Sequence, residues 1–158
     1  MPKEYSKEDI EKFTLYVLEK PEGYNYLLEK KHLELLATLD AIRGDSKAFG
    51  FLMRNKEFVL AGFVNAIWDD ASALKMLIEN KFYVWAAVAN IVNGDDKAIQ
   101  LLTSTNNQHF VALALAIQKR IREDNDKNSN LFNFMNFFKK RSEEHTSELQ
   151  SLAYLVCR

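Results

Sequence analysis

Cysteine occurs once in the 158 residues, at Cys157, so no disulfide framework and no set of thiolate metal ligands is available. The absence of cysteine from the rest of the chain fits a reducing, cytoplasmic setting. Only five glycines are present, and they form no phosphate-cradling loop; no HExxH arrangement occurs either. Charge of one sign is also missing: 21 basic residues face 22 acidic ones. A protein that tracks phosphates needs a basic face; here Lys119, Arg120 and Arg122 make one small cluster, with Lys139 and Lys140 beyond it. Nucleic acid is therefore disfavoured as a partner.

Long apolar runs are absent as well. The two most apolar stretches, Phe58 to Trp68 and Phe82 to Val92, are eleven residues each, and a membrane-spanning helix needs roughly twenty. The start, Met1 to Asp9, is too charged for a secretory signal. Histidines are few, and neither His32 nor His109 has a helical partner or motif around it. Both read as surface-loop residues between helices. Nothing resembles a nucleophile held beside a base, so the chain reads as no enzyme, with no cofactor and no metal.

What is present is a period. Leu27, Leu52, Leu77 and Leu102 stand 25 apart, as do Gly23, Ala48, Ala73 and Ala98, and Val17, Ile42, Ile67, Val92 and Ile117. A fixed period in this range signals stacked supersecondary units that cannot bury their apolar faces alone. Within one unit, Leu35, Leu36, Leu39 and Ile42 recur at helical spacing, Gly44-Asp45 interrupts, and Ala48, Phe49, Leu52 and Met53 resume it. The unit is two short helices. Asp45, Asp70 and Asp95 fall where the second helix needs an N-cap, and Pro21 falls one residue after the equivalent position, where proline is tolerated. The expected fold is all-α: a right-handed α-solenoid of about five 25-residue helix–turn–helix repeats.

The columns of the repeat separate by chemistry. The leucine column is the expected spine of the core, while Lys47, Gly50 and Arg54 and their equivalents form a solvated stripe. Trp85 aligns with Leu35 and Leu60 and reads as core. The aspartates of successive turns lie about 8–10 Å apart, one interhelix distance, too far to share a calcium ion, whose ligands sit at about 2.3–2.6 Å. Capping is their role. One column invites a binding role: Asp40, Asn65 and Asn90 recur on the first helices, with Leu33, Phe58 and Tyr83 two turns back and Trp68 nearby. Together Asp40, Asn65, Trp68, Asn90, Phe58 and Tyr83 are the candidate partner-binding residues, on a concave face of the inner helices. Trp68 is the best single anchor of the six.

The pattern changes near the end. Lys127 stands where leucine is due; Arg122 to Asn130 reads as a polar linker, and Leu131, Phe134, Met135 and Phe138 as one face of a capping helix near 131–140. The expected organisation is thus a single helical-repeat domain over 1–140. From Arg141 to Arg158 the chain resembles the translation of a sequencing adapter, carried by Arg141-Ser142-Glu143-Glu144-His145-Thr146-Ser147-Glu148-Leu149-Gln150-Ser151 and Leu155-Val156-Cys157-Arg158. That resemblance implies an artefactual tail and a missing native C-terminus. Without the tail the chain carries 19 basic and 19 acidic residues.

The segment Ala41-Ile42-Arg43-Gly44-Asp45-Ser46-Lys47-Ala48-Phe49-Gly50-Phe51-Leu52 resembles the helix–turn–helix part of an ankyrin repeat, although a 25-residue unit leaves no room for the ankyrin β-finger. Tyr83 to Ala89 is similar to HEAT-type helical repeats. These resemblances imply a non-catalytic scaffold that binds a protein or peptide. The alternative is a regulatory helical-repeat domain of a larger enzyme whose downstream part was lost with the native C-terminus.

Overall fold

In the computed structural model, which describes residues 2–142, the period of the sequence reappears as a period of helices. These are α1 (Lys7–Val17), α2 (Pro21–Glu29), α3 (Leu33–Ile42), α4 (Ser46–Arg54), α5 (Phe58–Ile67), α6 (Ala71–Glu79), α7 (Tyr83–Val92), α8 (Lys97–Ser104) and α9 (Gln108–Ser142). No strand occurs among the described residues, and no helix among them is long and apolar enough to cross a membrane. The chain divides into two compact units, residues 1–120 and 121–158. The segments expected to cap the array and to derive from an adapter lie mostly where side chains or backbone are outside the described residues.

Each turn is built twice over in the same way. At the end of α3 the Gly44 N–H bonds to Ala41 O and the Asp45 N–H to Asp40 O, both at 3.0 Å. This is a Schellman closure, which uses carbonyls that a helix end would otherwise leave unpaired. It requires a left-handed residue, and the column supplies Glu19, Gly44, Asp69 and Gly94 at φ 62°, 98°, 65° and 97°. A second column does the same at the ends of the even-numbered helices, with Lys31, Lys56, Lys81 and Asn106 at φ 61°, 58°, 66° and 61°. There Glu57 N–H reaches Leu52 O and Phe82 N–H reaches Leu77 O, at 2.9 and 2.8 Å.

N-caps follow the sequence reading with one difference. Asp45 accepts from the N–H groups of Lys47 and Ala48, and Asp70 from those of Ser72 and Ala73. Asp95 accepts from Lys97 N–H alone, because α8 starts one residue later and Asp96 takes the cap position in a helical conformation. At the chain start Ser6 and Asp9 form a capping box. Pro21 occupies the first turn of α2.

Burial also follows the columns. Leu27, Leu52 and Leu77 are fully buried and Leu102 nearly so, and Trp85 is core. The odd-numbered helices bury Ile10, Phe13 and Val17; Leu35, Leu39 and Ile42; Leu60, Phe63 and Ile67; and Leu113 and Ile117. They form an inner layer, with the even-numbered helices packed outside.

The unit of residues 1–120 departs from an open stack in one respect. A solenoid's repeats touch only their neighbours, but here the fifth repeat touches the first: Arg120 Nε donates to Val17 O at 3.2 Å, across 103 residues. Arg120 Nη1 lies 3.5 Å from Glu19 Oε1. Tyr5, ahead of α1, meets Trp85 of α7 edge to face at 6.3 Å, and Trp85 meets Phe63 and Phe110 at 4.9 and 5.5 Å. The inner helices therefore close on one another. Their inward faces are buried core.

The fifth repeat has no second helix of its own. Lys119 and Arg120 stand where the earlier units carry a left-handed residue and then Lys20, Asp45, Asp70 or Asp95. No turn forms there, and α9 runs on to Ser142 through residues 122–130. The polar linker and separate capping helix predicted there are one continuous helix.

Candidate functional site

Packing the inner faces together sends the opposite faces of the odd-numbered helices outward. That is where the six candidate residues go. Phe58, Trp68 and Tyr83 are 53%, 54% and 55% exposed. Asp40 is exposed, and Asn65 and Asn90 are half-buried. They do not share one pocket. Tyr83 and Asn90 line a groove of about 320 Å³ between α7 and α8, with Ala87, Leu101 and the preceding Ile78. Phe58 lines a larger cavity of about 500 Å³, walled by Pro2, Lys3 and Tyr5 on one side and Phe82 and Trp85 on the other. Asp40, Asn65 and Trp68 line neither.

The groove beside α7 has a local cause. In the preceding repeat Gly62 takes the position of Ala87, and a Cβ there would collide with Met76 Cε. Met76 thus fills the space in that repeat. In the next, Ala87 keeps the equivalent side chain out, and Leu101 stands 53% exposed at the rim.

Trp68 has a structural duty that its exposure conceals. Its Nε1 donates to Ile42 O of the preceding repeat at 3.1 Å. Asn93, one repeat on, donates from Nδ2 to Ala66 O at 3.1 Å, and Gln118 from Nε2 toward Ile91 O and Val92 O at 3.4 Å. Each reaches the carbonyls that end the previous inner helix. Arg120 completes the set at Val17 O, the equivalent of Ile42 O. The signal for this was in the sequence: Arg43, Trp68, Asn93 and Gln118 all carry N–H donors in one column. Asn65 and Asn90, by contrast, make no side-chain hydrogen bond among the described residues.

Asp40 sits beside Tyr16. Partial desolvation, and then the neighbouring Asp45, raise the Asp40 pKa against the pull of Arg43 and Tyr16. Burial and Asp40 in turn push the Tyr16 hydroxyl up to about 12.

Sequence reasoning missed one polar cluster altogether. His32 is not a surface-loop residue; only 9% of it is exposed. Its Nε2 lies 3.1 Å from Asp9 Oδ1, and its Nδ1 3.4 Å from Glu34 Oε1. The second contact is within ionic reach but misaligned, and Nδ1 has no hydrogen-bond partner. Lys3 Nζ and Tyr5 Oη both donate to Glu34 Oε1, at 2.9 and 3.0 Å, and Tyr26 Oη donates to Asp9 Oδ1 at 2.9 Å. Burial opposes ionisation of Glu34, but the bonds from Lys3, its own amide and Tyr5 outweigh it and lower its pKa. At Glu57 burial prevails, with the charge of Glu34 added, and the pKa is raised. Burial and Glu34 likewise drive the Tyr5 hydroxyl far up. His32 is enclosed and lines neither cavity. The cluster fastens residues 3–5 across the start of α3.

No grouping of three or more His, Cys, Asp or Glu suited to a metal ion occurs among the described residues. Compared with known proteins, the chain matches no family model, no curated protein and no solved structure at a significant level.

Proposed function

We propose that residues 1–120 are a non-catalytic scaffold of ankyrin- or HEAT-like helical hairpins that binds a protein or peptide in the cytoplasm. One observation carries this reading. Large apolar side chains are left in water at the same two repeat positions three times running: Leu28, Met53 and Ile78 at 44–48% exposure, and Leu33, Phe58 and Tyr83 at 45–55%. Single exposed apolar residues are ordinary. A contiguous patch of a few hundred Å² on a monomer marks a contact site, and these two columns adjoin at every turn between an even-numbered helix and the next odd-numbered one. Of the six residues singled out in the sequence, Phe58 and Tyr83 fit this edge best, and Asn90 supplies an unengaged amide in the groove beside Tyr83.

Selection of a phage-displayed library of random 16-residue peptides on the purified chain tests the proposal. Enriched peptides should bind in solution and lose affinity on Phe58→Ser and Tyr83→Ser, with thermal unfolding unchanged. A library that yields no binder, or binders indifferent to both substitutions, refutes it.

A further inference from the structure

The larger cavity, of about 500 Å³, presents aromatic rings and hydrogen-bond acceptors together. Its volume is that of a small-molecule site. Tyr5, Phe58, Phe82 and Trp85 all line it. The Tyr5 hydroxyl is spent on Glu34, so what that side chain offers is its ring. Asn55 and Asn80 stand at equivalent positions of successive repeats and also line the cavity. Each donates from Nδ2 to a helix carbonyl, Phe51 O and Met76 O, at 2.8 Å. Their side-chain oxygens receive no donor among the described residues.

Glu57 is the residue without structural employment. It shares a repeat column with His32, Phe82 and Asn107 and is the one acid among them. It stands at the N-cap of α5 yet makes no capping bond. It lines the cavity half-buried, with no hydrogen bond or ion pair among the described residues. Burial, and then the charge of Glu34, raise its pKa against the pull of Lys3. The ionised carboxylate is thus held at a cost to the fold. Two lysines line the same cavity, so the wall carries no net excess of acid. They differ from Glu57 in pairing and burial. Lys3 is neutralised by Glu34 at 2.9 Å, and Lys56 is exposed, where water and salt screen its charge. Glu57 is a half-buried charge left without a partner.

We propose that this cavity binds a primary alkylammonium ion, its ammonium on the Glu57 carboxylate and its apolar stem against Phe58, Phe82 and Trp85. An ammonium offers donors and no acceptor, which matches the free oxygens of Glu57, Asn55 and Asn80. Its charge also gains from the faces of aromatic rings. A carboxylate ligand would meet Glu57 as a like charge, and a purely apolar one would bury Glu57 further without a partner. The assignment does not depend on the scaffold reading: Phe58 is common to both, but Glu57 enters only here.

Titration of the isotopically labelled full chain with hexylammonium, followed by nitrogen–proton correlation NMR, tests this. The Trp85 indole N–H and the Glu57 amide should shift saturably. The Trp68 indole, which bonds Ile42 O and lies outside the cavity, should stay in place. Hexanol and hexanoate share the stem and should bind about tenfold or more weakly. Glu57→Gln should lose about tenfold or more in affinity for hexylammonium. It should unfold no earlier than the wild type, since a neutral amide escapes the penalty of a buried charge. Nα-acetyl-lysine methylamide separates two sources of the ammonium: tighter binding than hexylammonium assigns it to the lysine side chain of a partner, weaker binding to a free amine. Hexanol binding as tightly as hexylammonium, or hexanoate binding more tightly, overturns the assignment. So does a Glu57→Gln variant that unfolds earlier or binds undiminished, or a Trp85 resonance that hexylammonium leaves unmoved.

Discussion

Closure of the inner helices hangs on a residue whose partners can be removed without changing its bulk. Arg120→Met keeps the aliphatic stem of a side chain that is 5% exposed and deletes the guanidinium that bonds Val17 O. Val17 is itself fully buried, so its carbonyl has no ready replacement. Leaving such an acceptor unpaired costs about 1–3 kcal/mol. The contact with Glu19 adds little, because the Glu19 side chain is 57% exposed and an ion pair of that kind contributes at most ~1 kcal/mol. At about 2–4 °C per kcal/mol for a chain of this size, the melting temperature should fall by several degrees, and Glu19→Gln alone should barely move it. Native-state hydrogen exchange adds a sharper readout. In Arg120→Met the amides of α1 and of residues 108–120 should lose protection together, although they are distant in sequence, while α5 in the middle of the array keeps its own. Loss of protection at one end only, or an unchanged urea midpoint, would refute the closed arrangement.

Three further outcomes follow from the packing. Gly23→Ala should destabilise by about 1–3 kcal/mol or more, because its Cβ would run into the backbone of Lys12, Leu15 and Tyr16, which cannot yield as a side chain can; an unshifted thermal midpoint would refute that approach of α1 and α2. Leu77→Ala removes a fully buried spine residue and should cost about 2–5 kcal/mol in urea denaturation, whereas substituting the exposed Lys47 or Lys75 should be near neutral. Acid should unfasten the N-terminal segment: Glu34 has a folded pKa below its ordinary 4.5, so its contribution is present above that value and is lost as pH falls through the lowered one. Stability measured against pH should therefore decline below about 4.5, and Lys3→Met should shallow the decline.

The sequence by itself determined everything that repeats within 25 residues. Helix lengths, the aspartate caps of α4 and α6, Pro21 at the start of α2 and the buried leucine column are local or nearest-neighbour matters, set by capping chemistry and by periodicity. The continuation of α9 was not legible there, because lysines take the left-handed turn position elsewhere in the chain and Lys20 starts α2 without a side-chain cap. Tertiary structure decided the rest. A period fixes the spacing of units but not the rotation between them, and that rotation brings Arg120 to Val17 and Tyr5 to Trp85. The same rotation turned the inner faces into a core and moved Phe58, Trp68, Tyr83 and Asn90 to the outside. It also enclosed His32 between carboxylates 23 residues before it and two after, an environment assembled from separate elements. Side-chain chemistry was legible in the columns; which columns meet water was decided by how tightly the ring of helices closes.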